Sequence, residues 1–344
     1  MIPNVTGFGY SGSSAAACIL NEYGYKYIER ETMDFDFPHG IFELENKLYL
    51  SETITNNNEA ILSFLEMVEN IFCYDSFMGG KTLLASKDEY IKLYNRFIEN
   101  ICIETGKMFP YRNQYNVWVK CEKLSMCLKR IPVISGIRVK GKALDDVILG
   151  LYKQRLLKQY KNPVHIVTAT RTEYYRYAKE LIEEVIKLKY KNEEMVFHHL
   201  VRPGNTNKSV EYFDGQLRSI IVYRDPRDQY IYMKNAGKIN NVEGFVKLYK
   251  RNMQFEEYNS VYTLLIRLEE LIFEYDDATK RIEAFMGLEG KKGLGEKMFY
   301  PEESAKRSYM FRLPEYQTGI WIEEMRYIES ELKEYLYDFS KVKI

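Results

Sequence analysis

What the chain lacks narrows its chemistry first. Its 344 residues contain four histidines and five cysteines. The cysteines (Cys18, Cys73, Cys102, Cys121 and Cys127) form no C-x-x-C pair, so reduced thiols in a cytoplasmic protein are expected rather than a disulfide framework. No H-E-x-x-H motif or Cys/His cluster is present, and no metal site is expected. Apolar runs never approach the ~18 residues of a membrane span. The amino terminus turns polar at Thr6 without a basic leader region, which argues against a signal peptide. Net charge is zero, from 49 basic and 49 acidic residues, so no broad nucleic-acid footprint is expected.

What is present reads as an α/β protein. The apolar fraction of 46% is ordinary for a globular chain of this length, which is long enough for a sizeable core. Apolar runs at Ile2–Val5, Tyr25–Glu29, Met195–Val201, Leu217–Tyr223 and Val261–Ile266 read as strands. Segments with helical spacing separate them: 15–22, 59–72, 87–103, 172–190, 242–253, 276–286 and 314–339. Asp276 or Asp277 is the expected N-cap and Gly287 the terminator of the 276–286 helix. Strands alternating with helices predict one three-layer domain over residues 1–344, with a central, mostly parallel sheet. Residues 45–190 form a mostly helical insertion of unassigned role.

The first fourteen residues are strand, small-residue loop and helix start: Met1-Ile-Pro-Asn-Val-Thr-Gly-Phe-Gly-Tyr-Ser-Gly-Ser-Ser14. This geometry aims backbone N–H groups at an anion, and the helix N-terminus adds partial positive charge. Two readings compete. Gly7, Gly9 and Gly12 fit G-x-G-x-x-G, with Glu29 and Glu31 roughly 20 residues on as ribose-binding acids. Alternatively, Ser11, Gly12, Ser13 and Ser14 form a phosphate or phosphosulfate cradle. No Lys follows the last glycine, which argues against a Walker A loop. No glycine stands two residues after Ser11 either, which excludes a G-x-S-x-G elbow.

Arg224-Asp-Pro-Arg-Asp228 directly follows the apolar run 217–223. Pro226 stops the strand ladder there. Arg224 can then present its fork to a phosphate, while Asp225 and Asp228 hold the arginines or cap the next helix.

At these residues the chain resembles the sulfotransferase family, whose donor is 3′-phosphoadenosine 5′-phosphosulfate. The family's K/R-S-G-T-[TS] loop corresponds to Tyr10-Ser-Gly-Ser-Ser14. Its apolar strand followed by R-[DN]-P-[RK]-D corresponds to Ile220-Ile-Val-Tyr-Arg-Asp-Pro-Arg-Asp228. Its R-x-E-D-L and F-L/M-G-L elements correspond to Arg267-Leu-Glu-Glu-Leu271 and Phe285-Met-Gly-Leu288. Phe299-Tyr-Pro-Glu-Glu-Ser-Ala-Lys-Arg307 resembles a late family element. The match spans most of the chain except the middle.

The resemblance implies a P-loop NTPase-like sulfotransferase fold and a role for each matched position. Ser11 to Ser14 would hold the 5′-phosphosulfate and Arg224 the 3′-phosphate, with Ser304, Lys306 and Arg307 closing over the nucleotide. Two positions depart from the pattern. Tyr10 replaces the basic residue that stabilises the leaving group, and a phenol carries no positive charge at neutral pH. Tyr232 replaces the usual 3′-phosphate serine. Lys291, Lys292 and Arg202 are candidate sources of the missing charge.

An acceptor hydroxyl benefits from a general base. His199, then His198, stand where the family places its base, and strand alternation predicts that they face opposite sides. His39 competes, as do the carboxylates of Glu31, Asp34 and Asp36. His165 has no supporting neighbours. The expected function is transfer of a sulfuryl group to a hydroxyl or amine of a small molecule or glycan, with no metal required. The alternatives are an NAD(P)-dependent Rossmann oxidoreductase and a non-catalytic nucleotide-binding protein of the same fold.

Overall fold

The computed structural model describes residues 1–28, 35–36, 38–50, 53–79, 86–108, 111–130, 142–159, 162–190, 194–254, 258, 260–290, 293 and 296–342. Its elements run β1 (Ile2–Gly7), α1 (Ser14–Glu22), β2 (Lys26–Ile28), α2 (Ile41–Leu50), α3 (Ile54–Gly79), α4 (Lys87–Ile101) and β3 (Cys102–Met108). There follow α5 (Tyr111–Arg130), α6 (Lys142–Gln159), β4 (Asn162–Val167), α7 (Arg171–Tyr190), β5 (Met195–His198), α8 (Ser209–Phe213) and β6 (Leu217–Tyr223). The remainder is α9 (Pro226–Asn235), α10 (Val242–Asn252), β7 (Thr263–Arg267), α11 (Leu268–Phe273), α12 (Tyr275–Met286), α13 (Pro301–Ala305) and α14 (Ile320–Glu331). The chain divides into two compact units, Met1–Asp36 with Ile186–Ile344, and Phe37–Val185.

The first unit holds a five-stranded sheet in the order β2-β5-β1-β6-β7, every pair parallel. Strand β1 is central: Val5 is in register with His198 of β5 on one side and Ile220 of β6 on the other. Parallel pairing puts all five carboxyl ends on one edge, where open α/β sheets bind ligands. It also buries the middle strands on both faces, which is why 217–223 reads as a near-continuous apolar run.

Val5, Val196, Ile220, Val222 and Ile266 pack with Ala16, Ile19 and Leu20 of α1, Leu271 of α11 and Ile282 of α12. The small side chains of Ala15, Ala16 and Ala17 are buried in that cluster. A second cluster joins Tyr230 and Ile231 of α9, Phe245 and Tyr249 of α10, and Met325 and Ile328 of α14. Two helical clusters around one parallel sheet are consistent with three layers. Polar residues in the sheet are satisfied rather than excluded. Asn4 Nδ2 donates to Val201 O and Ser219 Oγ, both at 3.0 Å, which offsets the cost of burying the amide.

The second unit is mainly helical, with one antiparallel pair, β3 with β4, whose register shifts between Glu104 and Gly106. Ile61, Phe64, Tyr90, Tyr94, Phe97 and Tyr174 are buried within it. Ser86 and Glu89 cap α4 reciprocally, which removes two orphan amides at its start. Among the described residues no helix is long and apolar enough to cross a membrane.

Three local expectations are corrected. The 314–339 helix is broken, with only Ile320–Glu331 α-helical and 3₁₀ turns on either side. Helix α12 starts one residue earlier than expected, with Glu274 at the N-cap position making no side-chain cap and Asp276 and Asp277 inside the first turn, because α11 runs almost directly into it. Gly287 does end it, at φ 60°. Strand β5 stops at His198, and a short 3₁₀ turn at Pro203–Asn205 follows.

Candidate functional site

A cavity of about 470 Å³ opens at the carboxyl ends of β1, β5 and β6, within the size range of small-ligand sites. Residues 8–15 form one wall, with His198 and His199 after β5, Arg224 after β6 and Leu268 after β7. Cys18, Tyr232, Phe299, Ser304 and Arg307 complete it. The N-terminal loop and the Arg224 turn, over two hundred positions apart in sequence, therefore line one cavity.

The loop is shaped by its two outer glycines. A Cβ on Gly7 would lie 2.2 Å from Ser11 Oγ and 2.7 Å from Val222 O. Gly12 has φ 81°, and a Cβ there would meet Leu268 Cδ2 at 2.7 Å. Gly9, by contrast, has open space around its Cβ position. The loop closes through Ser11 N donating to Phe8 O at 2.9 Å and Ala15 N to Gly12 O at 3.0 Å. Gln229 of α9 ties it down by donating to Gly9 O at 2.7 Å. Ser11 is 2% exposed, and its Oγ has no hydrogen-bond partner within the protein. Helix α1 begins three residues on, at Ser14, and the first amides of a helix lack intrahelical partners. Tyr10 is 41% exposed and sits at φ 64°, an uncommon conformation for a bulky side chain.

Arg224 is 4% exposed. Its Nη2 donates to Arg307 O and lies 3.6 Å from Asp228 Oδ2. Its Nε stands 4.0 Å from Glu269 Oε1 without a hydrogen-bond partner. The Tyr232 ring lies under the guanidinium, 4.6 Å from Cζ to the ring centroid, a cation–π contact in place of a serine hydroxyl.

The neighbouring residues hold this turn in shape. Asp225 caps α9 by accepting from Arg227 N at 2.9 Å, and also accepts from Arg227 Nε and Nη2 at 3.0 and 2.8 Å. Arg227 is thus committed to Asp225, to Glu329 at 3.0 Å and to the Phe311 ring. Asp228 accepts from Tyr309 N and Phe311 N at 2.6 and 3.2 Å. The segment that follows Arg307 is thereby anchored to the same turn. Burial raises the Asp228 carboxyl to about 6, partly offset by Arg224. Glu269 is fully buried, and burial with the Asp225 charge raises it to about 8.

The two histidines differ from the expectation of opposite faces. His199 lies beyond the strand end at φ 69°, which breaks the alternation. Both rings line the cavity, with centroids 4.1 Å apart. His199 Nδ1 lies 2.9 Å from Thr6 Oγ1. His198 Nε2 lies 2.8 Å from Ser13 Oγ, and its Nδ1 lies 3.3 Å from Tyr27 OH. Burial, reinforced by the neighbouring His199 ring, lowers His198 to about 4. Burial and the Arg202 charge lower His199.

The other candidates take different places. His39 belongs to the second unit, at φ 69°, with its Nδ1 3.3 Å from Glu43. Asp36 accepts from Arg202 N at 2.5 Å and from Asn205 Nδ2, so both its oxygens hold the turn after β5. Lys306 pairs with Glu303 at 2.7 Å on the surface, whereas Ser304 and Arg307 line the cavity. Ser14 lines it as well. His165, in β4, has a buried Nδ1 without a partner. Glu29, Glu31, Asp34, Lys291 and Lys292 lie outside the described residues. Among the described residues no group of His, Cys, Asp and Glu is placed to hold a metal ion.

Sequence reasoning missed Tyr27, Gln229 and Glu269 as supports of the site. Glu269 stands inside a quoted motif, so its position was available, but its burial beside Arg224 was not. Tyr27 reaches His198 only because β2 pairs with β5, a neighbour relation the sequence does not state.

No family model matches this chain, and no curated protein or solved structure matches it either.

Proposed function

We propose that the protein is a sulfotransferase that moves a sulfuryl group from 3′-phosphoadenosine 5′-phosphosulfate to a hydroxyl or amine acceptor, with a carbohydrate as the favoured class. One observation carries the reading. Ser11 Oγ and Arg224 Nε are both buried, both lack a hydrogen-bond partner in the protein, and both residues line one cavity at the carboxyl ends of adjacent parallel strands. Buried polar atoms without partners are uncommon and mark places where a ligand completes the set. Two such atoms suit a nucleotide with an anionic group at each end of its ribose.

In this reading the loop 11–14 and the α1 N-terminus hold the phosphosulfate, and Arg224 with Tyr232 meets the 3′-phosphate. Ser304 and Arg307 border the nucleotide. The acceptor oxygen attacks sulfur as the bond from sulfur to the bridging oxygen breaks, and the nucleotide bisphosphate leaves. The acceptor proton passes to His199, whose Nδ1 is held by Thr6 and which burial keeps neutral at physiological pH. Like phosphoryl transfer, the step depends on positioning and on stabilising charge at the leaving oxygen. The Tyr10 phenol stands at that oxygen as a hydrogen-bond donor. It is the residue on which a non-catalytic binding protein would be argued.

The oxidoreductase alternative receives less support. In the dinucleotide fold the second strand neighbours the first, whereas here β5 separates β2 from β1. The direct test is incubation with ³⁵S-labelled donor and a panel of hydroxyl- and amine-bearing sugars. Label recovered in a sugar supports the reading. Donor that binds but never yields label to any acceptor supports the non-catalytic alternative.

A further inference from the structure

A hydrogen-bonded row that the transfer step does not use runs from Tyr27 into the cavity wall: Tyr27 OH, His198 Nδ1, His198 Nε2 and Ser13 Oγ, spaced at 3.3 and 2.8 Å, with His198 and Ser13 lining the cavity. Ser13 is 7% exposed and stands at the N-cap of α1, where it makes no side-chain capping bond. Its hydroxyl is thus not turned back onto the helix, as a Ser at this position usually is. The partner it takes instead is the imidazole.

The direction of the protons along this row decides what Ser13 offers a ligand. A neutral imidazole donates from one nitrogen and accepts at the other. Suppose Nε2 accepted from Ser13: the hydroxyl hydrogen would be spent inside the protein, and lone pairs would face the cavity. An oxyanion, which only accepts, would be repelled. Suppose instead that the Tyr27 hydroxyl donates to Nδ1. The ring proton then sits on Nε2 and donates to Ser13 Oγ, and the Ser13 hydrogen is free to point at the anion. A phenol is the stronger donor of the two hydroxyls, so Tyr27 favours the second arrangement. Burial keeps the ring uncharged down to about pH 4, so the choice is between tautomers and not between charge states.

We infer that His198 is a positioning residue: held in its Nε2–H form by Tyr27, it turns the Ser13 hydroxyl into a donor for a bound phosphate or sulfate oxygen. The inference rests on the reading of the cavity as an anion-binding donor site. It separates the two adjacent histidines by role. In that reading His199 takes the acceptor proton, while both nitrogens of His198 are engaged within the protein, one by Ser13 of the loop and one by Tyr27 of β2.

The experiment uses the full chain labelled with ¹⁵N-histidine. The four histidines give a spectrum simple enough to assign by substitution, and ring ¹⁵N shifts distinguish the tautomers directly. The probes are 3′-phosphoadenosine 5′-phosphate and inorganic pyrophosphate. His198 is expected as the Nε2–H tautomer, with and without probe. Tyr27→Phe is expected to yield a tautomer mixture and to weaken probe binding several-fold. His198→Ala should weaken it about tenfold. His198→Gln, whose amide N–H can occupy the Nε2 position, should restore binding to within about threefold. Ser13→Ala combined with His198→Ala should be no weaker than either alone, because the two act as one unit.

An Nδ1–H tautomer in the wild type would overturn the inference, as would additive losses in the double variant. Pyrophosphate binding without bisphosphate binding, with these couplings intact, would refute the nucleotide reading and leave the relay standing. A wild type that binds neither probe would refute both.

Discussion

Arg224 Nε lies 4.0 Å from Glu269 Oε1, and neither residue is open to water. The guanidinium that closes one end of the cavity is therefore balanced chiefly by the Asp228 carboxylate of α9, 3.6 Å away, while Glu269 of α11, raised to about 8, holds its proton at neutral pH. Breaking a buried ion pair by removing one partner leaves an uncompensated charge and costs about 3–5 kcal/mol. Arg224→Ala is expected to lower stability by that order. Arg224→Lys keeps a charge for Asp228 but loses the planar fork, so it should fold. We predict at least tenfold weaker binding of 3′-phosphoadenosine 5′-phosphate by Arg224→Lys, about 1.4 kcal/mol or more. Chemical denaturation and calorimetric titration read the two effects separately.

Stability should respond to pH through Glu269. Its carboxyl is raised from an ordinary 4.5 to about 8 by burial. Between those values the folded protein holds a proton that the unfolded chain releases. The contribution is complete below about pH 4.5 and is lost as pH rises towards 8. His198 acts in the opposite sense. Lowered from 6.5 to about 4, it favours the folded state above pH 6.5, and that contribution fades as pH falls towards 4. Since the trends oppose below pH 6.5, the comparison is between wild type and Glu269→Gln. The variant should lose the decline in unfolding free energy between pH 6.5 and 8. An unchanged decline would mean that Glu269 is ionised in the fold.

The loop glycines are predicted to differ sharply. Gly7→Ala places a methyl group against Ser11 Oγ and the Val222 carbonyl, and Gly12→Ala combines φ 81° with the Leu268 side chain. Each should cost about 1–3 kcal/mol through backbone strain and overpacking, and should abolish anion binding. Gly9→Ala meets nothing within 4 Å and should leave stability within about 0.5 kcal/mol. Thermal denaturation of the three variants checks this. Equal damage at Gly9 would restore weight to the dinucleotide fingerprint, in which the middle glycine admits the pyrophosphate.

Tyr10 offers a test of the leaving-group argument. A cation near the bridging oxygen stabilises the charge that develops there, and Tyr10 provides none. Tyr10→Lys is predicted to raise the rate at which labelled donor is turned over to the bisphosphate, at least several-fold. The side chain is 41% exposed, so the substitution should leave stability nearly unchanged.

Much of the first unit was legible in the sequence, and the reasons are physical. Buried parallel strands need long apolar runs, so Leu217–Tyr223 could be placed nearly to the residue. Pro226 has no N–H for a ladder and so marks the first turn of α9. That Asp225 and Asp228 hold the two arginines or cap the next helix was legible, but which acid meets which arginine was not: Asp225 does both, taking Arg227, and Asp228 lies beside Arg224. The orientation of the histidine pair was not legible, because alternation holds only while a strand lasts, and β5 ends at His198. In the second unit, β3 follows α4 without a break, so the helical spacing over 87–103 runs on into the strand. The broken carboxyl-terminal helix has helical spacing throughout, and it is the packing of Tyr316, Leu332 and Phe339 in the second cluster that accompanies its breaks.

The central claim is that the cavity beneath Ser11 and Arg224 is a site for a nucleotide with phosphate at its 3′ position. Calorimetric titration of the purified protein with 3′-phosphoadenosine 5′-phosphate, with ATP and NAD in parallel, tests it most directly. We predict micromolar binding of the bisphosphate and at least tenfold weaker binding of the other two. Preference for NAD or ATP would contradict the account.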